Sequence, residues 1–142
     1  MDTRVRRVER AETAVMFVPA AHGSDEIAPA WDHLETVLGS LRGRRFLGAF
    51  DDSGVYRCCV QTRAGDDAAA LGLSSGVIPG GAYLCATILG PQPQAYDLLA
   101  PTYEELLRRG AHDTSRPSIE FYRREDRVDV LLPVLDNPGP AG

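Results

Sequence analysis

The sequence predicts an α+β fold built from a duplicated strand-helix-strand-strand unit, with an antiparallel sheet, two helices on one face and a ligand pocket at the pseudo-twofold seam. Three observations carry this. The heptapeptide Asp25-Glu26-Ile27-Ala28-Pro29-Ala30-Trp31 recurs 72 residues later as Asp97-Leu98-Leu99-Ala100-Pro101-Thr102-Tyr103. The same offset carries Leu34 onto Leu106, Leu47 onto Ile119, Phe50 onto Tyr122, Cys58 onto Val130 and Val60 onto Leu132. Each copy also reads as one amphipathic helix followed by a hairpin. A period this long means two half-domains facing each other rather than a solenoid, and the seam between such halves is where a pocket is expected.

Along the chain, Ala14-Val15-Met16-Phe17-Val18, bounded by Pro19, reads as a buried strand closing the segment from Val5 to Ala20. Asp25 is placed to cap a helix whose apolar positions Ile27, Trp31, Leu34, Leu38 and Leu41 keep helical spacing until Gly43. Pro29 is tolerated because the first turn's N–H groups lack helical acceptors. Phe46 to Phe50 and Val55 to Thr62 form a hairpin through Asp51-Asp52-Ser53-Gly54.

A polar connector around Gly65 to Gly76 leads into the second copy. Its first strand, Val77 to Leu89, carries a turn or bulge at Pro79-Gly80-Gly81. Its helix presents Leu99, Tyr103, Leu106 and Leu107, pairs Glu104 with Arg108 and Glu105 with Arg109, and ends at Gly110. Pro101 is placed to kink it if the helix begins near Gln92. Ser118 to Arg123 and Arg127 to Leu135 form the second hairpin. The expected organisation is one domain over residues 1–135, with halves of about 5–62 and 77–135 and a frayed, disordered tail at 136–142.

Composition excludes several functions. A net charge of -5 and a diluted basic cluster at Arg4, Arg6, Arg7 and Arg10 argue against direct nucleic-acid contact. The exclusive use of Arg for its 15 basic residues reads as the mark of a GC-rich genome rather than of an Arg-dependent function. No apolar run reaches membrane-spanning length and the N-terminus lacks a signal-peptide core, so a cytoplasmic protein with no membrane contact is expected. Cys58 and Cys59 are adjacent and face opposite sides of a strand, and Cys85 stands alone, so all three read as small buried hydrophobes. His22, His33 and His112 are scattered. No metal and no cofactor are expected.

The anomalous residue is Glu120. In Arg116-Pro117-Ser118-Ile119-Glu120-Phe121-Tyr122, strand alternation sets Glu120 and Tyr122 on one face and Ile119 and Phe121 on the other, with the latter pair expected against the helices. Tyr83, Cys85 and Thr87 share a face of their strand, as do Tyr56, Cys58 and Val60 of theirs. A carboxylate ringed by tyrosines loses hydration until a positive partner arrives, and aromatic faces add cation–π attraction of roughly 0.5 to 2 kcal/mol. The plainer alternative is a solvated strand carboxylate paired with Arg123 or Arg57. For Trp31, on the apolar stripe of its helix, core packing is the alternative to a pocket role.

Trp31 with Leu34, Ile78-Pro79-Gly80-Gly81-Ala82-Tyr83, and Pro117-Ser118-Ile119-Glu120-Phe121-Tyr122 followed by Val130-Leu131-Leu132-Pro133-Val134 resemble the GyrI-like small-molecule-binding family, the effector-binding domain of AraC-type and multidrug-responsive bacterial regulators. The resemblance implies a duplicated strand-helix-strand-strand fold and a binding glutamate at Glu120, directed toward cationic, planar or lipophilic compounds. It implies an aromatic ligand contact at Tyr83 and, together with the alternation pattern, points to Tyr122, Tyr56 and Trp31 as the remaining ligand-binding candidates. No helix-turn-helix fits before Val5 or after Val134, so a stand-alone domain is expected. The family's His before the second helix is replaced, in Leu89-Gly90-Pro91. Three functions follow from the resemblance: a drug-binding protein that senses or sequesters its ligand, a hydrolase of cyclopropane-bearing alkylating natural products that confers antibiotic self-resistance with Glu120 as general acid or base, and a protein inhibitor of DNA gyrase, which would supply a protein partner.

Overall fold

The computed structural model describes residues 4–91, 94–124 and 126–135. Its elements run β1 Val5–Arg10, β2 Thr13–Ala21, α1 Ile27–Leu38, β3 Phe46–Phe50, β4 Val55–Gln61, α2 Ala68–Leu71, β5 Ser74–Ile78, β6 Gly81–Leu89, α3 Leu99–Arg109, β7 Ser118–Arg124 and β8 Arg127–Pro133, with a 3-10 stretch at Gln94–Leu98 before α3. The strands form one eight-stranded antiparallel sheet in the order β1-β6-β8-β7-β3-β4-β2-β5. The fold class is the α+β class the sequence predicts. The expected tail at 136–142 lies outside the described residues.

The strand order reads the same from both ends once the halves are exchanged, which is the signature of an internal twofold. In the first half Val15 pairs with Gln61 and Leu47 with Cys59. In the second half Tyr83 pairs with Pro133 and Ile119 with Leu131, so the registers correspond. Each unit, however, has one strand more than the sequence pattern suggested. The segments around Val5 and Val77 are separate strands, β1 and β5, and each pairs with the opposite half: β1 with β6 and β5 with β2.

The offset also changes within the repeat. Thr13–Ala21 maps onto Gly81–Leu89 by a step of 68 residues, whereas the third strand and beyond keep the step of 72. The extra four residues lie between β6 and α3, in the segment that carries the 3-10 stretch.

Alternation places Val18, Cys58, Gly48, Glu120, Val130 and Ala86 in one row across the sheet, on one face. The two long helices, α1 and α3, pack on that face. Ala30 and Leu34 of α1 meet Met16, Ala20, Tyr56, Cys58 and Val60; Leu106 of α3 meets Ala82, Ala86, Val128, Val130 and Leu132. This corrects the expectation that Ile119 and Phe121 face the helices. They face the opposite side, with Val15, Leu47, Cys59, Ile78, Tyr83, Cys85 and Leu131. That side needs no helix because the sheet curls over it. β1 ends at one edge and β2 begins near the other, joined by only Ala11 and Glu12, and Pro79 and Gly80 link β5 to β6 in the same way. The two links touch: a Cβ on Gly80 would lie 2.7 Å from the Glu12 nitrogen and 2.8 Å from the Arg10 carbonyl oxygen.

Local chemistry explains the remaining boundaries. Pro29 and Pro101 are each the third residue of their α-helix, where a missing N–H is harmless. Asp25 is not the cap of α1; Glu26 holds that position and Ser24 Oγ accepts its backbone N–H at 3.1 Å. The helix stops at Gly39, with φ of 72°, which leaves Leu41 outside it. The expected pair of Glu105 with Arg109 forms at 2.9 Å, whereas Arg108 joins the same carboxylate at 2.6 Å instead of pairing with Glu104.

Candidate ligand-binding site

β7 is a central strand, so Glu120 is carried to the middle of the sheet on the helix face, where it is 7% exposed. Its Oε1 accepts two phenolic hydrogen bonds, from Tyr56 at 2.7 Å and from Tyr122 at 2.7 Å. Tyr122 is two residues along the same strand and on the same face. Tyr56 stands opposite Phe50 on β4 and reaches Glu120 by laying its ring across Gly48. A Cβ at Gly48 would overlap the Tyr56 hydroxyl, so the glycine is what admits this hydrogen bond.

Among the described residues no hydrogen-bond donor reaches Oε2 and no arginine pairs with the carboxylate. Arg123 pairs with Asp129 at 3.3 Å, and Arg57 lies over the Phe17 ring at 5.4 Å, so the solvated, Arg-paired reading of Glu120 does not hold. Burial pushes the Glu120 carboxyl pKa up, against the opposing pull of the two tyrosine hydrogen bonds and of nearby His22. Tyr56 and Tyr122 are pushed far above the ordinary phenol range, first by burial and then by the Glu120 charge, so both remain donors.

The carboxylate forms the floor of a cleft of about 660 Å³, bounded by His22, Ile27, Trp31, Phe46, Tyr96 and Leu99, with Tyr56 and Tyr122 beside it. Trp31 meets Tyr122 edge-on, with ring centres 5.7 Å apart at 88°, and Tyr96 meets Tyr122 edge-on at 6.4 Å and 87°. Trp31 also contacts Tyr56 and Phe46 at 6.4 and 6.2 Å. The Trp31–Tyr122 contact has a counterpart in Tyr103–Phe50, at 5.1 Å and 80°. In both, the helix aromatic of one repeat meets the third-strand aromatic of the other. Trp31 and Tyr103 thus hold equivalent places, but Tyr103 donates to the Ile119 carbonyl at 2.6 Å while Trp31 fronts the cleft.

Of the five residues singled out from the sequence, the structure brings together Glu120, Tyr122, Tyr56 and Trp31. It separates Tyr83, which lies on the other face, fully buried, with its hydroxyl on the Pro79 carbonyl at 2.6 Å and the Arg116 guanidinium 4.8 Å over its ring. His22, Phe46 and Tyr96 were not foreseen. Phe46 shares its face with Tyr56 by alternation and was accessible to that argument. His22 and Tyr96 sit in connections, where no periodicity assigns a direction. Cys58, Cys59 and Cys85 are free and buried; burial pushes the Cys58 and Cys59 thiols up to about 12. Among the described residues no group of three metal-ligating side chains assembles, and no helix is long and apolar enough to cross a membrane.

No protein-family model matches the sequence, nor does any curated protein sequence. Solved structures do match its fold. SAV2435 bound to tetraphenylphosphonium is 15% identical over 95% of this chain and 94% of that chain, with a TM-score of 0.65. The EcmrR C-terminal domain is 12% identical over 96% of this chain and 100% of that chain, with a TM-score of 0.67. A hydrolase from Listeria innocua is 13% identical over 93% of this chain and 92% of that chain, with a TM-score of 0.63. At these identities the likeness is one of fold, and it is consistent with the GyrI-like fold that the sequence motifs resemble.

Proposed function

We propose that this protein binds a drug-like cationic or lipophilic small molecule in the cleft, to sense or sequester it. The observation that carries the reading is a buried carboxylate with two phenol donors and, among the described residues, no donor on its second oxygen and no arginine partner, beneath aromatic walls. Such a group is poorly solvated in the empty protein and gains most from an arriving positive charge. Trp31, Tyr56, Tyr96 and Tyr122 supply π-faces and edges for the body of the ligand, so that shape is read loosely and charge strictly. The fold likeness to a structure bound to tetraphenylphosphonium supports the same class of ligand. The test is calorimetric titration with tetraphenylphosphonium and with neutral triphenylphosphine oxide; equal affinity for the two, or none for the cation, refutes the reading.

One feature favours a second reading, hydrolysis. Glu120 Oε2 accepts no hydrogen bond among the described residues, and the raised carboxyl pKa brings the group toward the range of a general base. In that reading Glu120 takes a proton from a water whose oxygen bonds to a cyclopropane carbon of an alkylating ligand, while the ring C–C bond breaks and its electron pair passes to the ligand's conjugated carbonyl, which becomes a phenolate. Mass spectrometry of a reactive cyclopropane-bearing compound incubated with the protein separates the two, since consumption with water added favours the hydrolase.

A further inference from the structure

We propose that the cleft prefers dications: one positive group on Glu120 at the floor and a second at the rim, against Asp32 and Glu35 of α1. This rests on the binding reading above and names a narrower class of ligand within it. α1 presents Ala28, Trp31, Asp32 and Glu35 to the cleft, a single stripe at helical spacing. Trp31 lies against Tyr122, which holds Glu120, and Glu35 sits one helical turn beyond Trp31. The stripe therefore leads from the buried carboxylate to the two exposed ones. Tyr96 lines the same cleft and meets Tyr122, which holds Glu120, edge-on at 6.4 Å.

Although the chain has 15 Arg, among the described residues none lines this cleft and neither Asp32 nor Glu35 has an ion-pair partner. α3 is built differently: its Glu105 is locked between Arg108 and Arg109. Among the described residues the cleft sets three carboxylates against no Lys or Arg, and its imidazole, His22, acts on Glu120, so the rim pair is left for a second positive charge. The buried one captures the first charge, and the rim pair rewards a second at the far end of a flat aromatic body held between Trp31 and Tyr96.

The test compares methyl viologen, a biaryl dication, with N-methyl-phenylpyridinium, the monocation of nearly the same shape, by calorimetry at low ionic strength. The dication is expected to bind on the order of tenfold more tightly, with the advantage shrinking as salt screens the rim. In the Asp32→Asn/Glu35→Gln double variant that advantage should fall to less than about threefold, with monocation affinity held within about threefold of wild type. Equal affinities for the two ligands in wild type, or an equal loss of both in the double variant, overturns the dication preference while leaving cation binding intact. Absence of binding by both ligands and by tetraphenylphosphonium overturns the binding reading itself.

Discussion

Gly48 and Glu120 face each other across the ladder between β3 and β7, and they are also each other's counterpart in the 72-residue repeat. The pseudo-twofold axis therefore runs between them. The duplication has diverged where the two copies touch: one keeps a side chain that carries charge, and the other keeps none. The bare position gives Tyr56 its path to the carboxylate, and Tyr56 in turn aligns by the repeat with Val128, which cannot hydrogen-bond. The cleft is thus asymmetric rather than a pair of equivalent half-sites.

Gly48→Ala should displace the Tyr56 ring and break its bond to Glu120. Overpacking of this kind destabilises by about 1–3 kcal/mol. Chemical denaturation should register that loss, and calorimetry should show weaker binding of tetraphenylphosphonium. A variant with wild-type stability and affinity would mean that Tyr56 has another path to the carboxylate.

Glu120→Gln retains an acceptor for both phenols and removes the charge. Binding of tetraphenylphosphonium should weaken tenfold to a hundredfold, while triphenylphosphine oxide is largely spared. Folding should survive, because a buried carboxylate without a basic partner detracts from stability rather than adding to it.

The pH responses of binding and of folding should run in opposite directions. Burial raises the Glu120 pKa above the usual 4.5, so cation binding should fade as pH drops through that raised value, earlier than for a solvated carboxylate. The same shift means that the folded state holds the Glu120 proton more tightly than the unfolded chain does. Its contribution to stability is present at low pH and is lost as pH rises through the folded pKa. Relative to Glu120→Gln, the wild type should therefore gain stability on acidification. Asp66 and Asp113, held at about 2 by hydrogen bonds led by Arg44 and Ser115 respectively, act with the opposite sign at lower pH and cancel in the comparison. Denaturant midpoints of both proteins across the acid range check the sign.

Tyr122→Phe removes one of the two hydrogen bonds that pull the Glu120 pKa down against burial. The midpoint for loss of cation binding should move to higher pH, which titration at a series of pH values would detect. An unmoved midpoint would mean that the tyrosine acts only as a wall.

Cys58, Cys59 and Cys85 should resist an aromatic disulfide reagent in the native protein and react together on unfolding. They are at most 2% exposed, and burial raises all three thiol pKa values. Absorbance of the released thiolate against denaturant concentration should follow the unfolding curve.

The repeat, the two helices, both hairpins and the common face of Glu120 and Tyr122 were legible in the sequence, because each depends on spacing along one strand or one helix. Alternation sorts residues onto two faces, and that was enough to bring Glu120 and Tyr122 together. It does not say which face the helices cover when both faces are apolar, as Ile119, Phe121 and Leu131 are on one side and Val128, Val130 and Leu132 on the other. Tertiary structure decided this through the two-residue links at Ala11-Glu12 and Pro79-Gly80, which send β1 and β5 to the opposite halves and curl the sheet over its own second face. Tyr83 therefore lies on that enclosed side, whereas Tyr56 lies on the helix face, in the cleft. Tyr96 and His22 joined the site from connecting segments, whose direction is set by what they pack against rather than by any period in the chain.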